Sequence, residues 1–425
     1  PYGRQWIDEE DIKAVVDVLK GEWLTQGPKI NEFEKALADY CGSAYAVVVS
    51  NGTAALHLAC LAAGISEGDE VITSPITFVA SSNCVLYCGG MPVFADIQDD
   101  SYNINPEEIK KRIIKKTKAI IPVHFGGLPS DMEVIRKIAD DYNLIIIEDA
   151  CHALGAKYRI KESAVRIKNP EPSKNGKLNS YDLISNPQEN WIKVGSCRHS
   201  DMAVFSFHPV KHITTGEGGA VLTNSTEYYE KLLLLRSHGI TKKSENFVNR
   251  DSAFSLNPES LILNPNPWYY EMQELGFNYR LTDIQCALGL SQLKKNNTFI
   301  ARRRKIAGIY GDAFKEMEHI KIQTEPATKI SAYHLYTVQI DFKRVDKNRY
   351  SFINELKRKG IGTQIHYIPV HLQPYYRKRF KFKEGDYPLS ESYYSKTLSL
   401  PIYPKMSDSD IENVIASVRG CLDVK

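Results

Sequence analysis

With 425 residues the chain has length for a large core and for two domains. Hydrophobic residues at 43% and charged residues at 25% describe an ordinary soluble globular protein, and a net charge of +3 gives no electrostatic basis for binding nucleic acid. No apolar run approaches the roughly 20 residues that span a bilayer, so no membrane segment is expected.

Residues 8–19, DEEDIKAVVDVL, put Ile12, Val15, Val16 and Leu19 on one face, the pattern of an amphipathic helix opened by acids. A loop over 21–28 leads to a second helix at 30–40, closed near Gly42. A short buried strand at 45–49 then runs into Ser50, Asn51, Gly52 and Thr53 and the helical run 54–63. Strand, small-residue turn and helix N-terminus make a ready anion site, because unpaired N–H groups point outward there. A plain capped helix has the same signature, and both readings stand at this point.

Alternation continues with a strand at 70–73, a helix at 77–88, a strand at 92–95 and a helix at 106–114. A strand at 119–123, a helix at 132–142 and an apolar strand at 144–147 follow, the last ending in Glu148 and Asp149. Such repetition predicts an α/β fold with a mostly parallel sheet covered by helices. Ligands of such sheets lie beyond the carboxyl ends of the strands, which puts residues 50–53, Phe78, His124 and Asp149 at one rim. No GxGxxG sits at a strand–helix junction, so a dinucleotide cofactor is not supported.

Residues 201–224 carry the main chemical signal. An apolar strand from Met202 to Phe207 ends at His208 and Pro209, one lysine, Lys211, follows in a Thr/Gly-rich turn, and a second strand spans 220–222. A lysine screened from water by Phe205 and Phe207 has a lowered pKa and acts as an amine nucleophile; a surface lysine on a hairpin is the competing reading. Asp149, at the end of a buried strand, is costly unless paired. It either caps a helix or partners a protonated heterocyclic nitrogen, as the pyridinium of pyridoxal phosphate requires.

The eight cysteines, at 41, 60, 84, 88, 151, 197, 286 and 421, are scattered. No zinc-like ligand pairs accompany Cys84 and Cys88, so no metal is expected, and reduced thiols fit a cytoplasmic protein. The basic run Arg302, Arg303, Arg304 and Lys305 reads as a solvated helix face. The sequence starts at Pro1 without a methionine, which leaves an upstream leader open.

The stretches SNGTAALHLA, PITFVASSN, EDACHALGA, FSFHPVKHITTGEGGAVLTN and ELGFNYRLTDIQCALGLSQL resemble, in order, the sugar-nucleotide aminotransferases of the DegT/StrS group, which are fold type I pyridoxal phosphate enzymes. The resemblance runs from about residue 3 to about residue 418. PWYYEMQELGFNYRLTDIQ and GIGTQIHYIPVHLQPYY are most similar to the 4-aminotransferases of the pseudaminic-acid pathway, which act on a UDP-linked 4-keto-6-deoxy N-acetyl sugar with glutamate as amino donor. The resemblance implies a large cofactor domain over 1–289 and a smaller α+β domain over 290–425.

It also implies roles. Lys211 is the Schiff-base lysine, Asp149 holds the ring nitrogen, Phe78 stacks on one face of the ring and Cys151 lies against the other. His152 sits near the phenolic oxygen, while Gly52, Thr53 and Ser206 bind the phosphate. Asn278 reaches the phosphate of a neighbouring subunit, which implies a homodimer with shared active sites. Thr25, Gln26, His366 and Tyr367 resemble positions near the nucleotide-sugar. Core packing for Phe78 and Ser206, and a turn for Asn278, are the plainer alternatives. For the activity, the alternatives are an aminotransferase for a dTDP- or GDP-linked keto sugar and a non-catalytic regulator that binds the cofactor.

Two features depart from the group. A polar insertion at about 158–192, rich in Lys, Asn, Pro and Ser, suits an exposed loop that is a lid, an interface arm or inert. Cys151 stands where alanine or serine is usual, and its thiol makes the ring face open to oxidation.

Overall fold

The computed structural model describes residues 1–159, 190–256 and 263–422. The polar insertion therefore lies largely outside the described residues. Its flanks, Lys157–Arg159 and Trp191–Lys193, pair antiparallel with each other.

Seven apolar segments form one sheet: β1 (Tyr45–Val49), β2 (Glu70–Thr73), β3 (Met91–Phe94), β4 (Thr117–Ile121), β5 (Ile145–Asp149), β6 (Met202–Ser206) and β7 (Gly219–Thr223). Their order is β1-β7-β6-β5-β4-β2-β3. Pairings from β6 through β5, β4 and β2 to β3 are parallel, and β7 alone runs against its two neighbours. Most of these strands are buried on both faces, as their unbroken Val/Ile/Ala runs require. Adjacent β6 and β7 pair Ser206 with Gly219, so the segment carrying Lys211 is the connection between two neighbouring antiparallel strands.

Helices α1 (Glu9–Leu19), α2 (Pro28–Cys41), α3 (Gly52–Ala62), α4 (Ala80–Tyr87), α5 (Pro106–Arg112), α6 (Met132–Tyr142) and α7 (Thr226–Arg236) accompany the sheet. Three expectations need correction. First, α3 begins at Gly52, two residues early, because the Asn51 side chain accepts from Ala54 N and caps it. Second, α4 begins at Ala80 rather than at 77. Pro75 and the local bonds of Ser74 to Ile76 N and of Thr77 to Ser81 hold 75–79 as a turn. Third, the apolar stripe of α1 is not its buried face. Ile12 and Leu19 are 49% and 54% exposed, while Asp11 is buried, bonded to Gln292 and Lys295.

The long helix α8 (Asp283–Phe314) runs unbroken through residue 290. A capping box between Thr282 and Gln285 starts it. Cys286 and Leu293 join the core under the large sheet; Ile306, Tyr310 and Phe314 join a second core. That second core lies under an antiparallel sheet of Ile320–Ile322, Tyr336–Ile340 and Thr397–Leu400, with helices Arg349–Arg358 and Asp408–Leu422. The basic run on α8 is only in part a solvated face. Arg303 is 1% exposed and donates from Nη1 to the carbonyls of Tyr333, His334 and Ile402. Among the described residues no helix is long and apolar enough to cross a membrane.

Candidate active site

The carboxyl ends of the parallel strands open into a cavity of about 1030 Å3. Asp149, at the end of β5, is 6% exposed. Its Oδ2 accepts from Ser81 Oγ at 2.6 Å and its Oδ1 from Cys151 N at 3.2 Å. Turns rather than a helix follow at 151–156, so the carboxylate caps one turn amide and leaves its charge directed into the cavity.

Lys211 follows His208 and Pro209 in a turn closed by Lys211 N donating to His208 O. Its side chain lines the cavity, and among the described residues Nζ makes neither a hydrogen bond nor an ion pair. Burial pulls its pKa below the ordinary lysine value, against the opposing charges of Cys151 and Asp149. An amine in that state is a nucleophile and a base.

Gly52 and Thr53 open α3 at the same rim, beside Ser206 and Cys151. A Cβ on Gly52 would lie 2.9 Å from Ser206 Cβ, 3.2 Å from Ser206 Oγ and 3.4 Å from Cys151 Sγ, so only glycine leaves this cradle open. The side chain of Phe78 projects into the cavity from the turn before α4, 58% exposed and 6.3 Å from the ring of Tyr367. Tyr367 Oη lies 3.1 Å from His152 Nε2. Burial, and then the positive charge of Lys211, hold His152 well below the ordinary histidine pKa. His366, 2.8 Å from Ser399 Oγ through Nδ1, is lowered to about 3, chiefly by burial. Both imidazoles are therefore neutral near pH 7.

Lys211, Asp149, His152, Gly52, Thr53, Phe78, Cys151, Ser206, His366 and Tyr367 thus surround one cavity. Thr25, Gln26 and Asn278 do not line it. Thr25 bridges Thr282 in the loop between α1 and α2, and Asn278 bridges Ser237 on the outer surface. His124, expected at the rim, is fully buried instead, its Nε2 2.8 Å from Glu148 Oε2. Its Nδ1 accepts from Ser130 N at 3.0 Å.

The cavity also includes residues that the sequence reading passed over. Ser81 lies in the quoted PITFVASSN stretch, four residues after Thr77, the spacing at which two hydroxyls meet across one turn. His57 and Tyr87 come from α3 and from the end of α4, and Tyr2 from the first residues of the chain, where no pattern marks it.

A family model described as the DegT/DnrJ/EryC1/StrS aminotransferase family matches residues 5–419. The chain belongs to this family. It is 41% identical over 419 residues to an uncharacterized protein, MJ1066, of Methanocaldococcus jannaschii, covering 99% of this chain and 96% of that one. It is 37% identical over 420 residues to the spore coat polysaccharide biosynthesis protein SpsC of Bacillus subtilis, with the same two coverages. Among solved structures it is similar to Helicobacter pylori PseC, described as an aminotransferase involved in the biosynthesis of pseudoaminic acid. That match has a TM-score of 0.81 and 31% identity, and covers 99% of this chain and 98% of that one.

The protein is accordingly a sugar aminotransferase of the DegT/DnrJ/EryC1/StrS family, and its cofactor is pyridoxal 5′-phosphate. The residues present fit that group. A glycine-lined cradle stands at a helix N-terminus, a buried amine whose pKa burial lowers stands free, and a buried carboxylate faces the same space.

Proposed function

We propose that the protein transfers the amino group of L-glutamate to the C4 carbonyl of a UDP-linked 4-keto-6-deoxy N-acetyl sugar, as in pseudaminic-acid synthesis. The observation that carries this reading is the whole-length likeness to PseC. The cavity, about 1030 Å3, is roomy enough for a cofactor and a sugar together.

Pyridoxal phosphate, when bound, supplies a carbonyl that exchanges an amino group and a ring that takes up the electron pair of a broken C–H bond. Lys211 would anchor it through its amine and then carry the Cα proton of the donor to the cofactor, tasks suited to an Nζ whose pKa burial lowers. Asp149 holds negative charge against the ring nitrogen, with Ser81 keeping the carboxylate in place. Phe78 and Cys151 would cover the ring, and His152 would meet the phenolic oxygen. Gly52, Thr53 and Ser206 take the phosphate on the N-terminus of α3. His366 and Tyr367 border the space left for the sugar. Donor and acceptor use one site in turn, so double-displacement kinetics are expected.

A second copy of the chain completes the site in this reading. Asn278 lies outside its own cavity, and Val248, Trp268 and Leu275 are 75%, 73% and 77% exposed. Ile12 and Leu19 of α1 add to the uncovered apolar surface. Asn278 then binds the phosphate of the other subunit, and Thr25 and Gln26 approach a nucleotide-sugar from their loop.

The likeness to SpsC, a spore coat polysaccharide biosynthesis protein, specifies no nucleotide, so a dTDP- or GDP-linked keto sugar is the second acceptor class. Incubating the holoenzyme with glutamate and UDP-, dTDP- or GDP-linked 4-keto sugars, and reading amine formation by mass spectrometry, decides between them. Turnover confined to the UDP sugar is the expected result. Turnover confined to another nucleotide would replace the acceptor, and none with any sugar would favour a regulator.

A further inference from the structure

Beside His152 stands a second buried imidazole that does not line the cavity. His334 is 4% exposed, and its ring centroid lies 4.3 Å from that of His152 at an interplanar angle of 41°. The Tyr367 ring lies 6.1 Å from His152 at 19°, with its Oη 3.1 Å from His152 Nε2. The imidazole that the proposed site brings to the phenolic oxygen therefore meets two rings, Tyr367 in the cavity and His334 outside its lining.

His334 is itself fixed from the second core. Arg303 donates to the carbonyls of Tyr333 and His334 at 3.3 Å each and to that of Ile402 at 2.8 Å, tying α8 and the C-terminal strand region to this segment. The backbone on either side is pinned to the large domain, with Ala332 N donating to Gly127 O and Leu335 N to Gly126 O. Contact is so close that a Cβ on Gly127 would lie 2.8 Å from His152 O and 3.0 Å from His334 N. His212, whose ring is 5.7 Å from that of His334, bonds Ala332 O in the same segment.

Stability does not account for a histidine here. The Nδ1 atoms of both His334 and His152 are buried and meet no protein partner among the described residues. An apolar side chain of similar size would avoid that cost.

We infer that His334 is a positioning residue for the transamination, the tilted ring contact that keeps the His152 ring at the angle from which it meets both Tyr367 and the cofactor. The inference rests on the proposed role of His152. Through Arg303, it also makes that angle depend on how the second core sits against the first. The titratable groups facing His152 are Lys211, Tyr367, His124, His212, His334 and His366. Burial and these neighbours keep the two rings neutral.

The test uses the holoenzyme and two readouts, the pH midpoint of the visible absorbance of bound cofactor and the melting temperature. His334→Leu keeps the volume but loses the flat face, His334→Phe keeps the face, and His152→Ala removes the ring being positioned. Expected is a midpoint shift in His334→Leu of about 0.5 unit or more, in the direction of the His152→Ala shift. Its melting temperature should be kept or raised. The double variant should match His152→Ala alone, and His334→Phe should lie near the parent. A parental midpoint in His334→Leu, or additive shifts in the double variant, would overturn the inference. A parental midpoint in His152→Ala would overturn it together with the role of His152, while leaving the anchoring by Lys211 untouched.

Discussion

Asp149→Asn separates the chemical role of this carboxylate from its structural one. In the fold, Asp149 accepts two hydrogen bonds, from Ser81 Oγ at 2.6 Å and from Cys151 N at 3.2 Å. Asparagine keeps the shape and one acceptor. Its amide can donate to Ser81 Oγ, whose own proton then turns to Thr77 Oγ1, 2.6 Å away. The network stays paired, so the stability change is expected within about 1–2 kcal/mol. The charge, by contrast, is lost outright. Opposite unit charges about 4 Å apart at an effective dielectric of about 20 attract by about 4 kcal/mol, or about three pKa units at the ring nitrogen. Stopped-flow single turnover of glutamate by the holoenzyme, with no acceptor present, isolates donor deprotonation from sugar binding. A fall of about 10²-fold or more, with the melting transition nearly unmoved, is the expected outcome. A parental rate would refute the electrostatic argument and reduce Asp149 to a turn cap.

Three further outcomes follow from the same geometry. Gly52→Ala places a methyl group 2.9 Å from Ser206 Cβ, so the cofactor dissociation constant should rise about 10-fold or more by equilibrium dialysis while the helix, where alanine is favoured by up to about 1 kcal/mol, keeps its stability. His212 and His366 are held down to about 3 in the fold, and the unfolded chain takes up their protons below about pH 6.5. Stability is therefore full above that pH and lost as pH falls toward about 3, by about 2 kcal/mol per histidine at pH 5; urea unfolding at pH 7 and pH 5 should show His212→Asn with the shallower loss. Co-expressed Lys211→Ala and Asn278→Ala chains should regain activity through mixed dimers, provided that Asn278→Ala alone is impaired; activity no higher than the better single variant would assign Asn278 to a turn.

Most of the sheet was legible because its strands are short apolar runs set between turns and helices, a pattern that survives without tertiary information. The boundaries that moved did so through side-chain capping, at Asn51 before α3 and at the Ser74–Ser81 turn before α4. The stripe of α1 misled for a different reason. Apolar periodicity reports a face that avoids water, and Ile12 and Leu19 are not covered within one chain. Arg303 misled because charge type predicts exposure only until a cage of carbonyls replaces water, and those carbonyls come from residues 333, 334 and 402, remote in sequence. In the site, Lys211 and Asp149 were marked by strand ends. Ser81, His57 and Tyr2 became visible only when the chain was folded, since nothing local distinguishes them from packing residues.

Lys211 is the residue proposed to anchor pyridoxal phosphate. Reducing the holoenzyme with borohydride, digesting it and locating the pyridoxyl label by mass spectrometry tests this directly. The expected result is loss of the visible cofactor absorbance and one label, on Lys211, absent from Lys211→Ala together with turnover. A label on another lysine, or full turnover in Lys211→Ala, would contradict it.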